Sequence, residues 1–116
     1  MGMPHPLPDA LVERIAERFR VLGEPLRIRI VEHLMAGEAT VQELTDALGS
    51  SQQNVSKHLR LLATAGIVGR RKQGNYAYYR IVDASVEALC EQVCGAVQRE
   101  IADLSAAIDS AAGGAR

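Results

Sequence analysis

Apolar residues recur every three or four positions along most of the chain, which predicts a mainly α-helical protein. The first such stretch runs from Asp9 to about Val21, and the second runs from Pro25 until Gly37. Proline is tolerated in the first turn of a helix, where its missing N–H would have no partner, and glycine commonly follows the last turn. The pattern therefore predicts two amphipathic helices in the first third of the chain.

Two further helices are predicted to follow, with almost no linker between them. The segment VQELTDAL is preceded by Thr40 and contains Glu43, which is the pattern of a capping box, and it stops at Gly49. The next helix is predicted over Ser51 to Ala65, because serine is a good N-cap residue. Two helices joined by a tight glycine-containing turn are typical of a helix-turn-helix unit.

The period of the pattern changes after these helices. Ile67 to Lys72 and Tyr76 to Ile81 are rich in branched and aromatic residues, and the glycine and asparagine between them favour a tight turn. A small β-hairpin, or wing, is therefore predicted. From Val86 an apolar stripe continues for about six turns, longer than a small domain needs for its own core. We therefore expect a terminal helix that pairs with a second copy of the chain.

These elements predict one winged helix-turn-helix domain over residues 9–110, in the order four helices, two strands and a last helix. Residues 1–8 contain three prolines and are expected to form a flexible arm, and residues 111–116 are expected to form a disordered tail. Dimerisation is predicted through the first and last helices. The predicted interface residues are Leu11, Ile15, Val86, Leu89, Val93, Val97, Ile101 and Leu104.

The charges are distributed unevenly. Residues 47–82 contain six Lys and Arg and no Asp or Glu, whereas the 116-residue chain has a formal net charge of −1. A basic segment within an otherwise acidic chain is typical of a surface that binds a polyanion. A basic face that is merely solvated is the alternative, but it would rarely exclude every carboxylate over such a length.

Amide, hydroxyl and basic side chains crowd the start of the second helix of the helix-turn-helix unit, which suits reading base edges in a DNA major groove. The contacts predicted from this helix are Ser51, Gln52, Gln53, Asn54, Ser56, Lys57, His58 and Arg60. The contacts predicted from the wing, on phosphate or in the minor groove, are Arg70, Arg71, Lys72, Gly74 and Asn75. For His58, packing against the domain is the alternative to a phosphate contact.

Three segments carry a more specific pattern: VLGEPLRIRIVEHL, SSQQNVSKHLRLLATAGIV and KQGNYAYYRI. At residue level they resemble the ArsR/SmtB family of bacterial repressors. The resemblance implies a homodimer that represses transcription by occupying an inverted repeat in double-stranded DNA, usually until an inducer releases it. The metal-binding motifs of that family are absent. No Cys-x-Cys lies on the helix before the predicted DNA-reading helix, Ser51 to Ala65, which is the recognition helix of the family. Ser85, Ala96 and Arg99 stand where other members have the histidine and carboxylate ligands of a second metal site.

Other residues are candidates for sensing an inducer. Cys90 and Cys94 are four residues apart on one face of the predicted last helix, and His5 lies in the arm. With ligands from a second subunit the thiols could hold a soft metal, or they could react with an oxidant; alternatively both pack as small apolar side chains. The cofactor stays open, and a nickel, zinc or cobalt ion is one option. An accessory co-regulator protein is a candidate partner. The alternative is a regulator that senses no inducer through this chain.

Several classes of protein are disfavoured. The sequence has no phosphate-binding glycine loop, no His-Glu-x-x-His motif and no nucleophile elbow, so no enzymatic activity is expected. A run of about 18 uncharged apolar residues, as a membrane span requires, is also missing, and so is a secretory signal. We therefore expect a cytoplasmic DNA-binding regulator with reduced cysteines. A winged-helix module that binds proteins and not DNA is the alternative.

Overall fold

The computed structural model describes residues 2–114. Within them five helices and three strands follow one another: α1 (Asp9–Leu22), α2 (Pro25–Met35), β1 (Ala39–Thr40), α3 (Val41–Leu48), α4 (Gln52–Thr64), β2 (Val68–Gln73), β3 (Tyr76–Ile81) and α5 (Ala84–Gly114). This part of the chain divides into two compact units, the first ending at Asp83 and the second beginning at Ala84. The predicted fold class, mainly helical with a small β-hairpin, is confirmed.

Side-chain caps define where each helix of the helix-turn-helix unit, formed by α3 and α4, begins. Thr40 Oγ1 accepts a hydrogen bond from the Glu43 N–H at 3.1 Å, and Glu43 Oε1 accepts one from the Thr40 N–H at 3.2 Å. Ser51 Oγ caps α4 by accepting from the Asn54 N–H at 3.1 Å. Between the helices Gly49 has a φ of 66°, a conformation that favours glycine. Local chemistry therefore determines how α4 follows α3.

The two-residue strand β1 is not predicted by the sequence pattern. Ala39 and Thr40 pair antiparallel with Tyr79 and Tyr78 of β3, and the sheet has the order β1-β3-β2. Two residues are too few to show the alternation of a strand, and their pairing depends on β3 being brought alongside by the fold. The predicted element order is corrected accordingly: the hairpin is the larger part of a three-stranded sheet.

The core of the first unit is aliphatic. Its largest fully buried side chains are Ile30, Val31, Leu44, Val55, Leu59, Leu62 and Ile67. Burial of one such side chain is worth about 1.5–3 kcal/mol relative to leaving it in water. Because α4 supplies three of them, the same packing that stabilises the unit also holds the helix predicted to read DNA.

The helix α5 has a long exposed apolar face. Val93, Val97, Ile101, Leu104 and Ile108 are between 44% and 62% exposed. The helix includes residues 111–114, which the sequence pattern placed in a disordered tail, because its last turns are rich in alanine, a strong helix former. Residues 115 and 116 of the predicted tail lie outside the described residues. Over residues 2–114 no helix combines the length and the apolar character that crossing a membrane requires.

Two threonines allow the contribution of the capping box to be measured with the same substitution. Thr40 Oγ1 is a cap, whereas Thr45 Oγ1 is buried without a hydrogen-bond partner among the residues that the structure describes. We expect Thr40→Val to lower the free energy of unfolding by about 1 kcal/mol, because an N–H of α3 loses its acceptor. Thr45→Val should be neutral or stabilising, because it removes an unpaired buried hydroxyl. Urea unfolding at one fixed protein concentration measures both, and equal losses would contradict the expectation.

Candidate nucleic-acid interface

The helix α4 has two opposite faces. The buried face consists of side chains three or four residues apart: Val55, His58, Leu59 and Leu62. The opposite, outer face repeats at the same spacing. We call it the polar stripe, and it consists of Gln53, Ser56, Lys57 and Arg60. Ser56 is half-exposed and the other three are exposed. Burial of one face thus determines that an amide, a hydroxyl and two cations lie together on the other.

Three of the four side chains in the polar stripe have no interaction partner in the described part of the chain. Over residues 2–114, the side chains of Gln53, Lys57 and Arg60 form no hydrogen bond or ion pair. The helix also contains no Asp or Glu that would oppose their charge. Amide and cationic groups in this condition can bind base edges and phosphates without first breaking an interaction within the protein.

The remaining polar side chains at the start of α4 form hydrogen bonds within the helix-turn-helix unit. Gln52 Nε2 donates to Gln42 Oε1 at 2.6 Å, and Asn54 Nδ2 donates to Ser50 Oγ at 2.9 Å. Ser51 is the N-cap. A DNA contact by any of these three predicted residues would have to share or break a bond that holds the turn. Their geometry therefore favours a structural role over the predicted reading role.

His58 does not lie on the outer face. Its side chain is buried, with Nδ1 at 2.9 Å from Nη1 of Arg27 and at 3.9 Å from Oε2 of Glu24. Burial holds the pKa of His58 below its usual value of 6.5, and nearby Arg27 and Lys57 lower it further against the opposing effect of Glu24. The burial of His58 disfavours the predicted DNA contact and favours the alternative, packing against the domain. The helical spacing of His58 from Val55 and Leu62, which places it on the apolar face, is the feature of the sequence that indicates this burial.

The strand β2 distributes its three basic residues over two faces. Successive side chains of a strand point to opposite sides of the sheet, so Arg70 and Lys72 share one face and Arg71 lies on the other. Arg70 and Lys72, which we call the wing cations, are exposed, and in the described part of the chain neither forms an ion pair. Gly74 and Asn75 form the exposed turn, where Gly74 has a φ of 61°.

Arg71 is engaged within the protein. Its Nε donates to Glu38 Oε2 at 2.9 Å, and its Nη2 donates to the other carboxylate oxygen. The guanidinium carbon also lies 4.6 Å from the centroid of the Tyr78 ring, a cation–π arrangement. The hydrogen bond from Arg71 holds the pKa of Glu38 below its usual range. The phosphate contact predicted for Arg71 would therefore require it to leave Glu38.

The predicted dimer residues occupy apolar faces on two helices. On α1, Leu11 is 37% exposed and Ile15 is half-buried, and the neighbouring Phe19 is 57% exposed. On α5, Val86 is buried and Leu89 is half-buried, so the exposed face begins at Val93. The later predicted residues Val97, Ile101 and Leu104 continue that face.

The residues nominated for sensing do not form a metal site within one chain. Across residues 2–114 no three His, Cys, Asp or Glu side chains are grouped so that they could hold a metal ion. Cys90 is half-buried and Cys94 is exposed, both as free thiols, and His5 is exposed. Burial raises the pKa of the Cys90 thiol, which disfavours the thiolate that binds metals or reacts with oxidants. Two thiols supply half of a tetrahedral site, so one chain does not fit such an ion.

Comparisons with known proteins agree with this geometry. A family described as a helix-turn-helix domain matches residues 22–71. The HTH-type transcriptional repressor SmtB of Mycobacterium tuberculosis is 39% identical over 80 residues, which are 69% of this chain and 59% of that repressor. A CadC homolog of Staphylococcus aureus, a cadmium resistance transcriptional regulatory protein, is 35% identical over 91 residues, which are 78% of this chain and 74% of that protein.

A solved structure extends the match to the fold. The homodimeric winged helix-turn-helix DNA-binding domain of a possible ArsR-family regulator from Mycobacterium bovis has a TM-score of 0.74 and 28% sequence identity. The match covers 84% of this chain and 91% of that one. Together with the relatives above, it shows that the chain belongs to the ArsR/SmtB family of winged helix-turn-helix transcriptional regulators, a family whose members are not enzymes.

Proposed function

We propose that this protein is a sequence-specific transcriptional repressor that binds an inverted repeat in double-stranded DNA as a homodimer, and so acts in the cytoplasm. The polar stripe of α4 is the observation that carries the proposal. Its amide and cationic groups are exposed and its hydroxyl is half-exposed, and no carboxylate on the same helix opposes them. Over residues 2–114, none of the amide and cationic groups has a hydrogen-bond or ion-pair partner. Such a surface is suited to base edges flanked by phosphates.

The polar stripe and the wing would divide the work between sequence reading and affinity. The Gln53 amide both donates and accepts, which matches the N6 and N7 groups of adenine in the major groove. Lys57, Arg60 and the wing cations would neutralise phosphates, and each neutralised phosphate releases a counterion. The proposed affinity is therefore electrostatic and salt-dependent, while the proposed specificity resides in Gln53 and Ser56.

The homodimer is supported by the exposed apolar faces of α1 and α5 and by the homodimeric relative of known structure. A two-fold symmetric dimer places two identical helices on identical half-sites, which is why the proposed operator is an inverted repeat. The half-sites should be about one helical turn apart, roughly 34–36 Å. The alternative function, a protein-interaction module without DNA binding, has no need of the unopposed cations.

No step of the proposed function involves a metal, but an inducer site built from two chains can be tested directly. A second subunit paired through α5 would bring a second pair of thiols, giving the four ligands of a tetrahedral site. Cobalt(II) titration of the dimer, followed by thiolate-to-metal absorption, should then show one ion per dimer and lose the signal in Cys94→Ser. Absence of the band in the wild-type protein would contradict a metal site at Cys90 and Cys94 and would leave reaction with an oxidant and apolar packing as their alternative roles.

Replacing the amide of Gln53 tests the reading role. We expect Gln53→Ala to reduce discrimination at one base position by about 1–3 kcal/mol, while binding to unrelated DNA hardly changes. Competition between an operator duplex and its single-base variants measures this. Gln98→Ala, on the exposed surface of α5, is the matched control and should leave discrimination intact. An equal loss on operator and random DNA would show that Gln53 does not read a base.

Replacing the basic residues of β2 one at a time tests the electrostatic role of the wing. Arg70→Ala and Lys72→Ala should weaken binding to all sequences and reduce the slope of log affinity against log salt by about 0.9 each. Arg71→Ala should reduce it less, because Glu38 already neutralises this cation. Binding measured at several salt concentrations gives the three slopes. A salt-independent wild type would contradict DNA binding through these cations.

A further inference from the structure

A polar cluster lies behind the recognition helix, on the side away from the polar stripe, and no proposed DNA contact uses it. Arg27 of α2 is at its centre. Its Nε donates to the backbone carbonyl of Val21 in α1, and its Nη1 lies 2.9 Å from Nδ1 of His58 in α4. Its backbone N–H donates to Oε2 of Glu24, the N-cap of α2, at 3.0 Å. One guanidinium therefore connects α2 to both α1 and α4.

The chemistry of the two groups determines the state of the imidazole. A guanidinium has only N–H donors and no acceptor, so Nδ1 of His58 must accept the bond and its ring proton must be on Nε2. Protonation of Nδ1 would set two donors against each other and abolish the bond. The carboxylate toward which a protonated ring would turn is that of Glu24, 3.9 Å from Nδ1. The charged groups that act on His58 are Glu24 and Arg27 from α2 and Lys57 from α4 itself.

The apolar contacts of α4 determine which face is buried, but they do not by themselves fix the exact rotation of the helix about its own axis. Val55, Leu59 and Leu62 are held by burial, which is non-directional and tolerates small rotations. A hydrogen bond constrains both distance and angle. The bond at His58 lies halfway along the buried face, so its loss would let Gln53 and Arg60 shift together.

We propose that Arg27 and neutral His58 are positioning residues for DNA binding, since their hydrogen bond holds α4 in the rotation that presents the polar stripe. This inference rests on the proposed function, and it gives His58 an effect on DNA without contact. Acidification should weaken binding, because protonation of Nδ1 breaks the bond to Arg27. A histidine that contacts phosphate would show the opposite sign, since its added positive charge would strengthen binding. The sign of the pH effect separates the two roles.

The test uses the full-length chain and a duplex selected by the wild type from a randomised pool at about pH 7.5. In His58→Asn the amide oxygen can accept near the position of Nδ1 but does not titrate. His58→Leu keeps an apolar volume and removes the acceptor. His33→Asn, at a half-buried histidine of α2 outside the cluster, is the matched control. Circular dichroism at each pH verifies that every variant is folded.

We expect the affinity of the wild type and of His33→Asn to fall by about two- to fivefold between pH 7.5 and pH 5.5, relative to a flat profile for His58→Asn. The fall stays below tenfold because the pKa of His58 is already lowered by burial. His58→Leu should bind about tenfold more weakly at the higher pH. If His58→Leu does not fold, the comparison of the pH profiles of the wild type and His58→Asn still tests the positioning role.

Identical pH profiles for the wild type and His58→Asn would overturn the positioning role. Tighter binding by the wild type at the lower pH would also overturn it, in favour of a direct contact. Failure of the wild type to select any duplex is a different result, because it would refute the proposed function and this inference with it.

Discussion

The burial of one face of α4 is the constraint on which the candidate interface depends. Val55, Leu59 and Leu62 are fully buried, each worth about 1.5–3 kcal/mol relative to exposure. Because helical side chains repeat at a fixed angle, withdrawing these residues from water leaves Gln53 and Arg60 on the outside. The surface proposed to read DNA is therefore a consequence of apolar packing on its reverse side.

Features that depend on neighbours in the sequence are the ones that could be predicted. The caps at Thr40 and Ser51, the left-handed Gly49 and the extent of the hairpin all follow from residues a few positions apart. The strand β1 could not be predicted in this way, since its two residues acquire their partners only when β3 folds beside them. The hydrogen bond between His58 and Arg27 could not be predicted either, because the two residues are distant in sequence.

The same distinction limits what the charge distribution can indicate. The basic segment contains no acid, yet the fold brings Glu38 from outside it into contact with Arg71. Strand alternation leaves Arg70 and Lys72 on the other face without a carboxylate partner in the described part of the chain. Three consecutive cations that look equivalent in the sequence are thus divided into one that is neutralised locally and two that remain available to an external anion.

The short strand β1 has a consequence for how the two parts of the first unit that are proposed to face DNA can change. Thr40 pairs with Tyr78 of the wing and also caps α3, so a single residue belongs to both the sheet and the helix-turn-helix unit. Inserting or deleting one residue at this junction would shift the pairing with β3 relative to the first turn of α3, and so change the position of the hairpin relative to the helix pair. A chimera that takes its wing from a relative would therefore need the matching junction residues as well, because Thr40 couples the position of the hairpin to the start of α3.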